Sequence, residues 1–336
     1  MACAVRVAGR PMREAAFIQR NQVKWQRLEQ VVGGLKELSG DEASALYVAL
    51  NDDLSYARTF YPKSNITVYL NGLASRLHHH IYRNQRTSRR RFRTFWTDEV
   101  PLALAATRKQ LLLSFTVFAL AMGIGALSAR YDATFVRLIL GDGYVDMTLE
   151  NIHKGEPMAV YGGHDESLMF LGITINNVRV SLLCFAAGIL ASFGTGLVLL
   201  YNGIMVGAFQ YFFHEQGVLR ESLLTIWVHG TLEISAIIIA GAAGFALGNG
   251  LLFPGTYRRM ESFRQGARTG LKVVIGLVPV FIVAGFLESF VTRHALTMPP
   301  AVTLGIIGLS AAFIIYYFVI LPYHAERRSR AVAPGA

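Results

Sequence analysis

His229 and Glu233 lie four residues apart within the apolar run Leu223 to Leu252, and a third ionisable group, Glu288, interrupts the next apolar run. Four residues is just over one helical turn, so the imidazole and the first carboxylate share a helix face. One imidazole and two carboxylates can share protons, hold a cation or activate water. In lipid such groups are expensive, since a charge at the bilayer centre costs roughly 2.5 to 3.5 kcal/mol on insertion scales. Intramembrane acids and histidines usually face a protein interior or a wet cavity, and a buried carboxylate needs a partner. His229, Glu233 and Glu288 are therefore expected to form one intramembrane polar cluster.

The elements that must position them are set by composition. Of 336 residues, 53% are hydrophobic and 16% charged, with a mean hydropathy of +0.38. A soluble domain carries about 25% charge, so the chain reads as an all-α, polytopic membrane protein with a charged front end. The net charge of +10 comes with no nucleic-acid-binding motif, so no nucleic-acid partner is expected and membrane lipids are. Cys3 and Cys184 are too few for a disulfide framework. The opening residues lack an apolar core with a cleavage site, so no cleavable leader is expected.

Charge placement predicts about six crossings in residues 111–325. Leu111 to Ala129 follows Arg86, Arg89, Arg90, Arg91, Arg93, Arg108 and Lys109, which puts the N-terminus in the cytoplasm. Residues 130–177 are then external, with Arg130, Arg137 and Lys154 outnumbered by acids. The run 178–213 is too long for one crossing and reads as two short ones turning at Gly194, Thr195 and Gly196. Arg258, Arg259, Arg264, Arg268 and Lys272 mark a cytoplasmic loop. Two more crossings, 273–291 and 301–321, bend at Pro299 and Pro300 and return the tail, 326–336, to the cytoplasm.

Residues 1–85 read as a cytoplasmic helical domain of three helices. Phe17, Val23 or Lys24, Leu28, Val31 and Leu35 follow a helical period. Ser39 with Glu42 is a capping box, Pro62 ends the second helix and Asn65 caps the third. So small a bundle is expected to lean on the membrane domain or a partner. His78, His79 and His80 are consecutive and point in different directions on a helix, so they are not a chelating set. Residues 86–110 are a basic amphipathic segment suited to the membrane surface, with Arg89, Arg90, Arg91, Arg93 and Trp96 facing anionic lipid.

In the membrane half, Gly203 with Gly207 and Gly244 with Gly248 have the small-xxx-small spacing that lets helices approach closely. Asn176, Asn177 and Asn202 are expected at the ends of the short crossings, satisfying backbone groups at helix breaks. The strings GITINNVRVSLLCFAAGILASFGTGLVLLYNGIMVGAF, HGTLEISAIIIAGAAGFALG, FPG and FLESF, with Trp25 and YLNGLASRLHHHIYR in the front end, resemble the stage II sporulation protein M family across roughly residues 10–325. The resemblance implies a multi-pass plasma-membrane protein, similar in spore formers to the anchor of a complex with two peptidoglycan-degrading enzymes. It also implies that the family's polar positions fall on Asn176, Asn177, Asn202, Gly203, His229, Glu233 and Glu288.

Three functions are open. The leading one is a plasma-membrane scaffold that recruits cell-envelope, peptidoglycan-related partners through residues 130–177 or 12–85, as a monomer or a homo-oligomer. The second is a transporter or channel component using the His/Glu site. The third is an intramembrane metal-dependent hydrolase, disfavoured because there is no His-Glu-x-x-His and no Gly-x-Ser-x-Gly. No enzyme activity, catalytic residue, cofactor or bound metal is expected, since His with Glu at this spacing is commonly only a hydrogen-bonded pair. One feature separates the first two: transport needs a wet cavity reaching the cluster, bounded near Asn177 and Asn202, whereas a scaffold tolerates a solid interior.

Overall fold

The computed structural model describes residues 12–33, 40–83, 89–161 and 166–332. Among them every element is helical, and the chain divides into two compact units, residues 1–90 and 91–336.

The first unit holds α1 (Glu14–Val32), α2 (Gly40–Phe60) and α3 (Asn65–Arg83). Phe17, Trp25, Leu28, Leu50, Leu54, Leu70, Leu73 and Leu77 form its core. Val23 is 78% exposed, and Trp25 takes its expected place. The indole reaches the core from the edge of the face and donates to Asp53 Oδ2 at 2.8 Å, while Lys24 pairs with the same carboxylate at 2.5 Å. Ser64, not Asn65, caps α3: its hydroxyl accepts from the Ile66 N–H at 3.1 Å. His78 is exposed beside the Tyr47 ring. Ser39 and the side chains of Glu42, His79 and His80 lie outside the described residues.

α4 (Arg89–Thr94) runs across the division at residue 90, and a π turn Phe95–Glu99 and α5 (Val100–Ala106) follow in the second unit. This stretch does not simply rest on a lipid surface. Val100 and Leu104 are fully buried in the main core, the Tyr317 hydroxyl donates to the Trp96 carbonyl at 2.7 Å, and Lys272 pairs with Glu99. Trp96 lines an apolar cleft with Pro279, Val283 and Phe313 rather than facing outward, because Gly276 leaves room for Val100 to dock beside it. Arg93 and Phe92 are exposed; the side chains of Arg89, Arg90 and Arg91 lie outside the described residues.

Then come α6 (Arg108–Tyr131), α7 (Ala133–Leu140), α8 (Asp142–His153), α9 (Glu166–Ala186), α10 (Phe193–Glu215), α11 (Leu219–Leu252), α12 (Arg259–Phe286), α13 (Pro300–Ile315) and α14 (Leu321–Val332). Among the described residues, six helical segments are long and apolar enough to cross a membrane: 108–131, 166–189, 193–215, 219–252, 259–294 and 300–329. The crossing expected from residue 178 instead begins at Glu166, so Leu168 to Ile175 leave the segment assigned to the outside. The turn after it lies at Ala191 and Ser192, both with positive φ (50° and 68°), rather than at Gly194 to Gly196.

The crossings are consequently full-length, and the expected role of the asparagines at helix breaks is overturned. Asn176 and Asn177 are mid-helix in α9, Asn176 exposed and Asn177 buried; Asn202 is mid-helix in α10, its amide donating to the Val198 carbonyl at 2.8 Å. The glycines sit at close helix approaches. Gly203 and Gly207 bring α10 against Phe118, Ala121 and Met122 of α6. Gly244 and Gly248 bring α11 against Cys184, Gly188, Ser192 and Thr195 around the turn. Outside the spans, Asp132 caps α7 through the Thr134 N–H, and α7 and α8 pack Val136 and Val145 with Phe212 and Phe213 of α10.

Candidate functional site

α11 is 34 residues long, about 51 Å at 1.5 Å per residue, and most of it is buried. His229 and Glu233 lie one turn apart on it, just before its middle. Glu288 comes from a π turn, Leu287–Val291, that follows α12, and Thr292 from the 3-10 turn after that. π turns inside long helices are frequent at functional sites, because the extra residue changes which side chains face the neighbour.

The structure brings His229, Glu233 and Glu288 together. One ligand-type atom from each, an imidazole nitrogen or a carboxylate oxygen, lies within 4.8 Å of the other two. His229, 4% exposed, directs Nε2 at Glu288 Oε1 across 3.8 Å, too long for a hydrogen bond. Its Nδ1 is 2.9 Å from the Thr292 hydroxyl, and that hydroxyl donates its one proton to the Leu287 carbonyl at 3.0 Å. The Thr292 oxygen must then accept, so Nδ1 carries the imidazole proton and Nε2 presents its lone pair to the carboxylates.

Asn177 on α9 is 5% exposed and approaches Glu233. Its Nδ2 makes no hydrogen bond of good geometry, so the amide reaches towards the cluster without closing on it. Arg293, the basic residue next along the chain from Glu288, is held elsewhere, by Glu166 at 2.7 Å and the Ser289 carbonyl at 3.1 Å.

A cavity of about 480 Å³ reaches the cluster. Its walls come from Tyr201, Met205, Phe209 and Gln210 of α10 and from Ile226, Gly230 and Ile234 of α11, with Glu288 at its end. Ile139, Leu140 and Tyr144 of the short helices α7 and α8 cover it. No other helix comes within 4 Å of where a Gly230 side chain would begin, which leaves the space beside His229. Gln210 Oε1 is buried without a partner in the wall. The cavity is not bounded by Asn202, and Asn176, Gly203, Gly207, Gly244 and Gly248 do not line it. The residue that sequence reasoning missed is Thr292; its spacing of four from Glu288 was the available signal.

Residues 114–293 match the family described as Stage II sporulation protein M, and residues 15–83 match a Domain of unknown function (DUF8413). The front helices thus carry a match of their own, and the first match is narrower than the resemblance traced from residue 10. Neither the curated proteins nor the solved structures contain a match to the chain.

Proposed function

We propose that this chain, which belongs to the Stage II sporulation protein M family, is a transporter or channel component whose polar or ionic solute occupies the cavity beside His229, Glu233 and Glu288. The observation that carries this reading is a cavity of about 480 Å³ that ends on three ionisable side chains between membrane-crossing helices. Ionisable groups within crossings mark solute and ion pathways, because a purely packed interior is better served by apolar side chains. The family supports a bacterial plasma-membrane location and charge placement supports both termini being cytoplasmic, so α7 and α8 cover the cavity from outside.

The test is flux in liposomes carrying the purified full chain and ion-responsive dyes. We expect flux of protons, an alkali cation or a divalent cation above that of empty vesicles, and its loss in Glu233→Gln, which keeps shape while removing charge. Flux equal to empty vesicles for all of these, or unchanged in the variant, refutes the reading.

A second reading, a scaffold for cell-envelope partners, is favoured by one observation: α1 to α3 form a unit with its own core and a separate domain match. It expects proteins to co-purify through residues 12–85 or 130–165 and Glu233→Gln to leave that capture intact. Capture lost with Glu233→Gln, or absent, counts against it.

A further inference from the structure

We infer that His229 Nε2, Glu233 and Glu288 form a binding site for one divalent first-row transition-metal ion, in the range from Mn2+ to Zn2+. This takes the cavity as the solute site proposed above and names the cation it accepts. Three observations carry it. First, the distances fit: ligands bound to one ion at about 2.1 Å lie about 3 to 4.2 Å apart, and the His229 to Glu288 separation is 3.8 Å, with all three donors inside 4.8 Å. Under an ångström of side-chain movement closes the set.

Second, the imidazole is held as a metal ligand is held. Metal-bound histidines usually donate their other N–H to an orienting acceptor, and here the Thr292 oxygen accepts from Nδ1 and is itself fixed by the Leu287 carbonyl. Nε2 stands 3.8 Å from Glu288 Oε1, beyond hydrogen-bond reach of that oxygen and within the separation of two ligands on one ion.

Third, the charges balance. Two ionised carboxylates this close, among apolar helices, repel each other and lose hydration. A dication with neutral imidazole makes the set neutral, and Arg293, engaged with Glu166, does not supply that charge. The 95% buried Asn177, whose Nδ2 makes no good hydrogen bond, has an amide oxygen that can complete the shell or orient a bound water. Three protein ligands leave a position facing the cavity, as in sites that exchange water or substrate. The nitrogen ligand argues against Mg2+ and Ca2+, which take shells of oxygen.

The test uses the full chain without a histidine tag, stripped with chelator and titrated with Co2+ and Zn2+. We expect one ion per chain by elemental analysis and a visible Co2+ spectrum that Zn2+ displaces and excess Mg2+ does not. His229→Ala and Glu288→Gln should lose the ion. Thr292→Val, close in shape, should keep the fold by size-exclusion profile while weakening affinity about 10- to 100-fold. Replacing His78, His79 and His80 by Ala should change nothing at this site.

No bound ion in the stripped and reloaded wild-type chain overturns the inference, whatever the variants do. So does a stoichiometry unchanged in His229→Ala and Glu288→Gln, or equal displacement by Mg2+. Metal bound without flux leaves the site standing and removes the transport reading; proton or alkali-cation flux from a chain that binds no metal does the reverse.

Discussion

Replacing Gly207 by Ala should be among the most damaging single methyl additions in the protein. A Cβ there would lie 1.9 Å from the Met122 carbonyl oxygen, 2.8 Å from its carbon and 2.9 Å from the Ala126 nitrogen. All three are backbone atoms, so no side chain can rotate away. Ordinary contact begins at 3.4 Å, so α10 and α6 must part locally by about 1.5 Å. The same interface is as tight at Gly125, where a Cβ would meet the Ile204 carbonyl at 2.2 Å, and at Gly203, so the separation spreads along both helices. Overpacking costs about 1 to 3 kcal/mol and occasionally more, and a gap of 0.5–1 Å forfeits roughly a quarter to a half of each dispersion contact it opens. We expect about 3 kcal/mol, a shift of over a hundredfold in the folded population. Reversible unfolding of the purified chain in mixed micelles measures it. The matched control is Gly123→Ala on the exposed side of α6, where a Cβ meets nothing within 4 Å and helix propensity gains up to about 1 kcal/mol. If the two variants unfold alike, the close approach of α6 and α10 is refuted.

In the front unit, Leu28→Ala removes a fully buried side chain and should cost about 2–5 kcal/mol, read as faster proteolysis within residues 14–83 of the full chain with the crossings still protected. On a background lacking Cys3 and Cys184, cysteines at the exposed Glu156 and Thr297 should label from outside and one at Thr256 should not; outside labelling of Thr256 sinks the six-crossing orientation. Burial pushes the Tyr144 hydroxyl up to about 12 from 10.0. The folded state holds that proton more tightly than the unfolded one, so this contribution to stability is complete below pH 10 and is lost as pH rises towards 12. Unfolding followed across that window should show a steeper fall in the native protein than in Tyr144→Phe; equal slopes would contradict the burial.

Much of this architecture is written in local patterns. Pro62 stops α2, apolar runs mark the crossings, and four-residue spacing puts His229 above Glu233. That Glu288 joins them follows from the cost of leaving a carboxylate alone in lipid. What sequence hid is what depends on partners far along the chain. Nothing about Ala191 or Ser192 announces positive φ, since glycine is the usual resident there, and Gly194 three residues on was the natural but mistaken choice. Asn176 and Asn177 read as a boundary because polar residues normally end crossings, yet α9 runs through them. Trp96 carries a surface signature and still turns inward, because Gly276 on α12 opens the place where Val100 docks. The cavity had no signal, being the space that Gly230 leaves.

The turn at Ala191 and Ser192 also bears on how the protein is made. Only the residues from Ala187 to Ser192 join α9 to α10, too few to stand in water as a loop, so both helices must enter the bilayer together as a hairpin. No Lys or Arg occurs between Arg179 and Arg220, so this pair brings almost no orienting charge of its own. Its direction must be inherited from α6 before it and from the basic stretch at Arg258 to Lys272 after it. The α10 wall of the cavity is therefore placed correctly only once α11 and α12 have been synthesised, and assembly of the site is a late event in biogenesis.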